Sequence, residues 1–383
     1  MARRSPAASS ADRRVPRNSL DVGGWQLISS VANPWGQVPV TAGGTSLPER
    51  ARQYMDRLLD QQRAPDPVSR QHHYVPRTYL RQWSFDGRRV WALDTVTGAV
   101  KAVGLANVCV EENFYRVVGS DGLPHNRVEG LFGVVDSELA RVQQLFANLA
   151  DPTSLDYDDL VGLAVTMAMQ RMRTLQQRRL HRQYNQWMVA QNPDEHTSID
   201  NDDENPFRLA GIHTELLFKA MWEAADVLTT RQIEIWHDPR ARFMTCDAPV
   251  LVPFRRNVRP DLLSCPYIIW PVSPDRVVAL SNDHTGDKAV LREADGQMVG
   301  LVRNGVEQGR ERMIFASEQQ RDRLPQTKNF RRRAQIRLRC SDHTPAGEQI
   351  PPPGCCVQWT ETFAARPDVV LCNRGLHKPI PEL

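Results

Sequence analysis

The chain has 383 residues, 41% hydrophobic and 24% charged, with a formal net charge of +3. That balance is ordinary for a globular protein and too even to mark the whole molecule for a nucleic-acid or membrane surface. No run approaches the ~20 consecutive apolar residues of a membrane-spanning helix, and the arginines near the N-terminus precede no apolar signal segment.

The first 66 residues read as a mostly disordered extension, rich in small, polar and proline residues, with one helical candidate over 47–62. A core domain is expected over 67–318. It starts with HHYVPRTYLRQW (72–83) and a hairpin turning at Gly98, followed by the extended piece NVCVEENFYRV. Val128, Leu131, Val135, Leu139, Val142 and Phe146 recur at helical spacing and predict a helix over 127–149. A second, longer helix is predicted over 156–189, an acidic solvated loop over 191–207, and a third helix over 207–228. RQIEIWH, RFMT, PVLVPF, PYIIWPV and RVVALS read as strands, and 298–315 as a closing helix. Residues 319–383 form a basic, proline-rich extension. Strands at both ends of the core around long helices predict an α+β fold, a mixed or antiparallel sheet packed against a helix bundle.

The cysteines at 109, 246, 265, 340, 355, 356 and 372 are odd in number and contain no C-x-x-C, which suits a reducing, cytoplasmic setting. Cys340, His343, Cys355, Cys356, Cys372 and His377 include zinc-ligand types, but their spacing matches no compact finger, so no metal set is assigned and any cofactor stays open. A P-loop, G-x-G-x-x-G, G-x-S-x-G and H-E-x-x-H are all missing from the sequence.

Several pieces stand in a recognisable order: HHYVPRTYLRQW, the D-T-x-T-G hairpin, NVCVEENFY (107–115), Gln170-Arg171-Met172-Arg173, TCDAPV (245–250) and PVSP (271–274). As a set over about 70–317 they resemble the bacterial family known as domain of unknown function 4238. Trp83, Cys246 and Val272 depart from its usual Phe, Ser and Leu. The resemblance implies the extent of the domain and brings no activity with it.

Among residues able to do chemistry, His72 and His73 stand first, since imidazole serves as base or metal ligand near neutral pH. Neighbours in an extended strand point to opposite sides, so at most one easily joins a given site. Asp247 follows a strand, either shaping the turn before proline or presenting a carboxylate. Arg171 interrupts the apolar stripe of Leu160, Ala164, Met167 and Leu175, and so demands an acid or an anion beside it. Glu112, Glu129, Glu138 and Asp247 are the acids considered; Glu129 and Asp136, seven apart, share a helix face. Gln170 and Arg173 flank Arg171 as further ligand-binding candidates. Arg178, Arg179, His181 and Arg182 read as a solvated basic face that could also meet phosphates.

Three functions remain open at this point. One is a hydrolase of a phosphoryl or nucleic-acid substrate, with His72 or His73 as base, Asp247 and Glu112 as supporting carboxylates and Arg171 stabilising charge. The second is a non-catalytic module that binds an anionic ligand or nucleic acid. The third is a protein-interaction scaffold.

Overall fold

A computed structural model of the chain describes residues 64–191, 197–253 and 265–326, apart from these only scattered positions and the strand segments 335–340 and 355–362. The first long stretch opens with β1 (Gln71–His73), the one-turn helix α1 (Arg77–Leu80), and the hairpin β2 (Arg89–Asp94) and β3 (Ala99–Gly104). The hairpin turns where sequence placed it. Gly98 takes φ +74°, a value that favours glycine, and its amide closes the turn on the Asp94 carbonyl at 2.7 Å. β4 (Val110–Glu112) pairs antiparallel with β1 and sets His73 opposite Val110. The short pair β5 (Val117–Val118) and β6 (Pro124–His125) leads into the helices.

α2 (Arg127–Asn148) is the predicted amphipathic helix, and Val128, Phe132, Val135, Leu139, Val142 and Phe146 are all buried. α3 (Tyr157–Met172) starts from a capping box in which Asp156 accepts from the Asp159 amide and Asp159 reaches back. The single helix predicted over 156–189 is two. Arg173 closes α3 with ψ near 0°, and α4 (Leu175–Gln191) begins two residues later. Thr174 makes the restart: its hydroxyl accepts the Gln177 amide at 3.3 Å, an N-cap arrangement hidden inside an otherwise helical pattern. α5 (Arg208–Thr229) packs on α3.

β7 (Gln232–His237) follows, then β8 (Thr245–Cys246), β9 (Tyr267–Ser273), β10 (Arg276–Ser281), β11 (Ala289–Glu293), α6 (Gly296–Gly309) and β12 (Met313–Ala316). One sheet has the order β11-β7-β10-β9, antiparallel except for the parallel pair β11 and β7. The other, β3-β2-β12-β8, is antiparallel and joins the N-terminal hairpin to C-terminal strands. The fold is therefore α+β.

Three expectations change. The closing helix ends at Gly309, and residues 313–316 form β12, because the amides of Glu311, Arg312 and Met313 turn away to Asp247. RFMT and PVLVPF shrink to β8 and one bridge between Leu251 and Ile269, while β11 appears where no strand was read. Finally β13 (Gln335–Cys340) pairs antiparallel with β14 (Cys355–Thr362) inside the basic extension. Of the 47–62 candidate, positions 53, 56–58, 60 and 61 are described and helical. Residues 64–66 are also described; the rest of the N-terminal extension, and His343, Cys372 and His377, lie outside the described residues.

The motif HHYVPRTYLRQW locks the layers together. Tyr79 is fully buried, with its hydroxyl 2.7 Å from the Thr245 hydroxyl and donating to the Pro271 carbonyl at 2.8 Å. Trp83 donates to the Phe243 carbonyl at 3.2 Å, and Gln143 of α2 donates to the carbonyls of Tyr79 and Val272. α1 thus ties both sheets to the helices. Among the described residues no helix is long and apolar enough to cross a membrane.

Candidate functional site

β1 delivers its two histidines into different surroundings. His72 is fully buried and stacked on Tyr115, with ring centroids 5.9 Å apart. Its Nδ1 accepts the Tyr115 amide at 2.8 Å, and its Nε2 lies 3.1 Å from the Ser69 carbonyl. Those two bonds together require the neutral ring with its proton on Nε2. Burial, with the charges of Arg178 and Arg116, lowers its pKa and keeps it so. His72 is thereby committed to holding β1 against the 113–116 turn.

His73 is half-buried, and its Nε2 has no hydrogen-bond partner although water does not reach it. Burial and the charge of Arg77 lower its pKa, against the opposing pull of the Leu105 and Ala106 backbone and of Asp136. A neutral imidazole with an unused nitrogen is a group able to take a proton.

Arg173 organises the space beneath. Its side chain is 1% exposed. It donates to the His73 carbonyl at 2.7 Å, to the Asp136 carboxylate and, at 3.4 Å, to the Tyr115 hydroxyl, while its Cζ lies 4.4 Å from the centre of the Phe132 ring. Burial works against the charge, but Asp136 and Tyr115 more than offset it and raise the pKa. Arg173 makes a buried ion pair with Asp136 at the break between α3 and α4.

Glu129, in the first turn of α2, shares the helix face of Asp136. Its Oε2 is buried without a hydrogen-bond partner. Burial raises its pKa to about 7, with Arg173 and Arg77 pulling down and Asp136 pushing up. The residues before α2 fix this turn: Asn126 receives the Asp66 carboxylate on its amide at 2.6 Å and donates its side chain to the Pro67 carbonyl at 2.9 Å. The result is an electrostatically linked group. Glu129 and His73 carry unused buried atoms, Asp136 and Arg173 neutralise one another, and exposed Arg77 forms no salt bridge among the described residues.

The remaining candidates lie apart from this group. Asp247 is fully buried and accepts the amides of Glu311, Arg312 and Met313 at 2.7–2.8 Å, so both its oxygens are occupied in joining β8 to the approach of β12. Burial moves its pKa up to about 6 against those bonds. Glu112 is exposed at the β4 edge beside Asn113. Glu138 pairs with Arg141 at 2.7 Å. Arg171 is half-buried; burial lowers its pKa to about 10, opposed by nearby Cys265. Gln170 is fully buried and donates to the Tyr74 carbonyl at 3.4 Å, its Oε1 unpartnered.

The basic run on α4 is largely turned to internal partners rather than solvated: Arg178 bonds the Phe114 carbonyl, Arg179 pairs with Glu311 at 2.5 Å and Arg182 with Asp200 at 2.5 Å. Arg77 was not read as a chemical residue in advance, and Glu129 and Asp136 were read only as acids sharing a helix face. The seven-residue spacing of Glu129 and Asp136, beside Arg173, was the available signal. Two open depressions of about 500 Å³ lie elsewhere, one lined by Phe85, Ala241 and Glu318 and the other by Arg57, Glu138 and Arg141. Neither is lined by the His73 group. Among the described residues no three His, Cys, Asp or Glu side chains gather as a metal site.

This architecture defines an α+β domain whose motif residues secure the junction of sheets and helices and whose buried arginine gathers a histidine and two acids. The profile of the family described as "Protein of unknown function (DUF4238)" matches residues 71–299, and the chain belongs to that family. No curated protein and no solved structure matches it.

Proposed function

We propose that the chain is an acid–base hydrolase of a phosphoryl-bearing substrate, with His73 and Glu129 handling protons and Arg77 meeting the anion. The observation that carries this reading is the Glu129 carboxyl, half-buried with one buried oxygen unbonded; burial pushes its pKa up to about 7. Groups that titrate near the working pH can both give and take protons. In the hydrolysis, local opening admits the attacking water to the buried Nε2 of neutral His73, which takes its proton as the water oxygen bonds to phosphorus. Protonated Glu129 gives its proton to the departing oxygen as the old P–O bond breaks. Arg77 supplies charge toward the phosphoryl oxygens, and the Arg173–Asp136 pair holds the β1 backbone and α2 at a set spacing. A reducing cytoplasmic setting accords with this reading.

The test is release of 4-nitrophenolate from 4-nitrophenyl phosphate and bis(4-nitrophenyl) phosphate by the full chain. His73→Ala and Glu129→Gln are expected to lower turnover by roughly 100-fold or more, the usual worth of a positioned acid or base. Both variants should keep their far-UV circular dichroism. A wild-type chain that turns over neither ester, or variants as active as wild type, would overturn the proposal.

A further inference from the structure

A second group of basic side chains surrounds Phe114, outside the His73 group. Arg178 of α4 lays its guanidinium on the Phe114 ring, with Cζ 3.4 Å from the centroid, and donates to the Phe114 carbonyl. His213 of α5 meets the same ring edge-on at 5.7 Å and approaches the ring of His181, one helical turn along from Arg178, at 5.9 Å. Arg116 lies over the Phe207 ring at 5.3 Å.

His213, Arg178 and Arg116 are short of acceptors. His213 is fully buried, and neither of its ring nitrogens has a hydrogen-bond partner; the Nε atoms of Arg178 and Arg116 are likewise buried and unpaired. Among the described residues no carboxylate forms a salt bridge to Arg178 or Arg116. The acid that acts on Arg178 through space is Glu111, which is exposed. A buried polar atom left unbonded is costly and calls for a missing partner. Here the unmet groups are nearly all donors or groups that become donors on protonation, so the missing partner is an acceptor with several oxygens.

We propose that Arg178 and His213, with Arg116 and His181 beside them, form a binding site for a small oxyanion, specifically phosphate. Burial takes Arg178 down to about 9 and His181 to about 4 and lowers His213 well below its ordinary value, and the charges of Arg178 and His181 add to the effect on His213. An anion reverses that field, so its binding draws a proton onto His213. The other titratable groups nearby are Tyr115 and His72, which face Arg178, and Glu111 on β4.

The experiment is thermal unfolding of the full chain with inorganic phosphate, against sodium chloride of equal ionic strength, at pH 6 and pH 8. Phosphate should raise Tm by several degrees at pH 6 and by less at pH 8. The rise should vanish in His213→Phe, which fills the buried volume without a nitrogen, and in Arg178→Met. If Arg178→Met does not fold, His213→Phe decides alone. A phosphate effect no larger than that of chloride, or one of the same size in His213→Phe, overturns the site. The readout is stability, so it is independent of whether the His73 group turns over an ester.

Discussion

At the scale of single residues, two neighbours in one strand take opposite fates. His72 uses both ring nitrogens and is fixed neutral, whereas His73 keeps one unused beside Arg173 and Asp136. Glu129 extends the same contrast to acids. Asp247 spends its oxygens on three amides, but Glu129 is held near Arg173 with one oxygen idle. That arrangement has a consequence for stability. The carboxyl's pKa rises from 4.5 to about 7 on folding, so the folded chain favours the protonated form. The stability it contributes is fully present below about 4.5 and is lost as pH rises through about 7. Glu129→Gln should therefore be more stable than wild type at pH 8, by about 1–3 kcal/mol, and nearly equal to it at pH 4.5, as read from urea unfolding at both values. A variant less stable at pH 8 would contradict the burial cost. A stabilising substitution at a working group is the usual trade of stability against activity.

Elements carry the next lesson. α2 was legible in its extent and periodicity, since its apolar spacing is regular, although Phe132 rather than Leu131 is the buried residue on that turn. The break between α3 and α4 was not, because Met172 and Leu175 continue the helical texture and only Thr174 with Gln177 marks a restart. Sequence also pointed to an arginine that must find an acid on this helix. Periodicity singled out Arg171, which is half-buried; Arg173, placed by the break after Met172, also enters the core and meets Asp136. Thr174→Ala removes the cap and should cost about 1 kcal/mol, within the ~0.5–2 kcal/mol range for lost N-caps. Thr174→Ser should restore most of it. An unchanged midpoint for Thr174→Ala in urea would show that tertiary contacts alone set the break.

For the whole molecule, the strands that sequence misjudged are those whose partners are far away in the chain. β8 and β12 are short and pair only once residues 245–246 and 313–316 meet, and the device that joins them is Asp247. Nothing local to Asp247 announces three amides more than sixty residues downstream. Asp247→Asn leaves amide donors facing an amide group and should cost about 2–4 kcal/mol in urea unfolding, the sum of one or two lost charge-assisted bonds and their unsatisfied partners. A loss under about 0.5 kcal/mol would mean the sheet forms without it. The family motifs thus divide between holding the fold, as Tyr79, Trp83 and Asp247 do, and gathering the group around Arg173. The proposed acid–base chemistry rests on one carboxyl. The most direct measurement is a carbon-13 NMR titration of the Glu129 side-chain carboxyl, assigned by comparison with Glu129→Gln. The account predicts a midpoint near 7; a midpoint near 4.5, the value of an ordinary solvated glutamate, would contradict it.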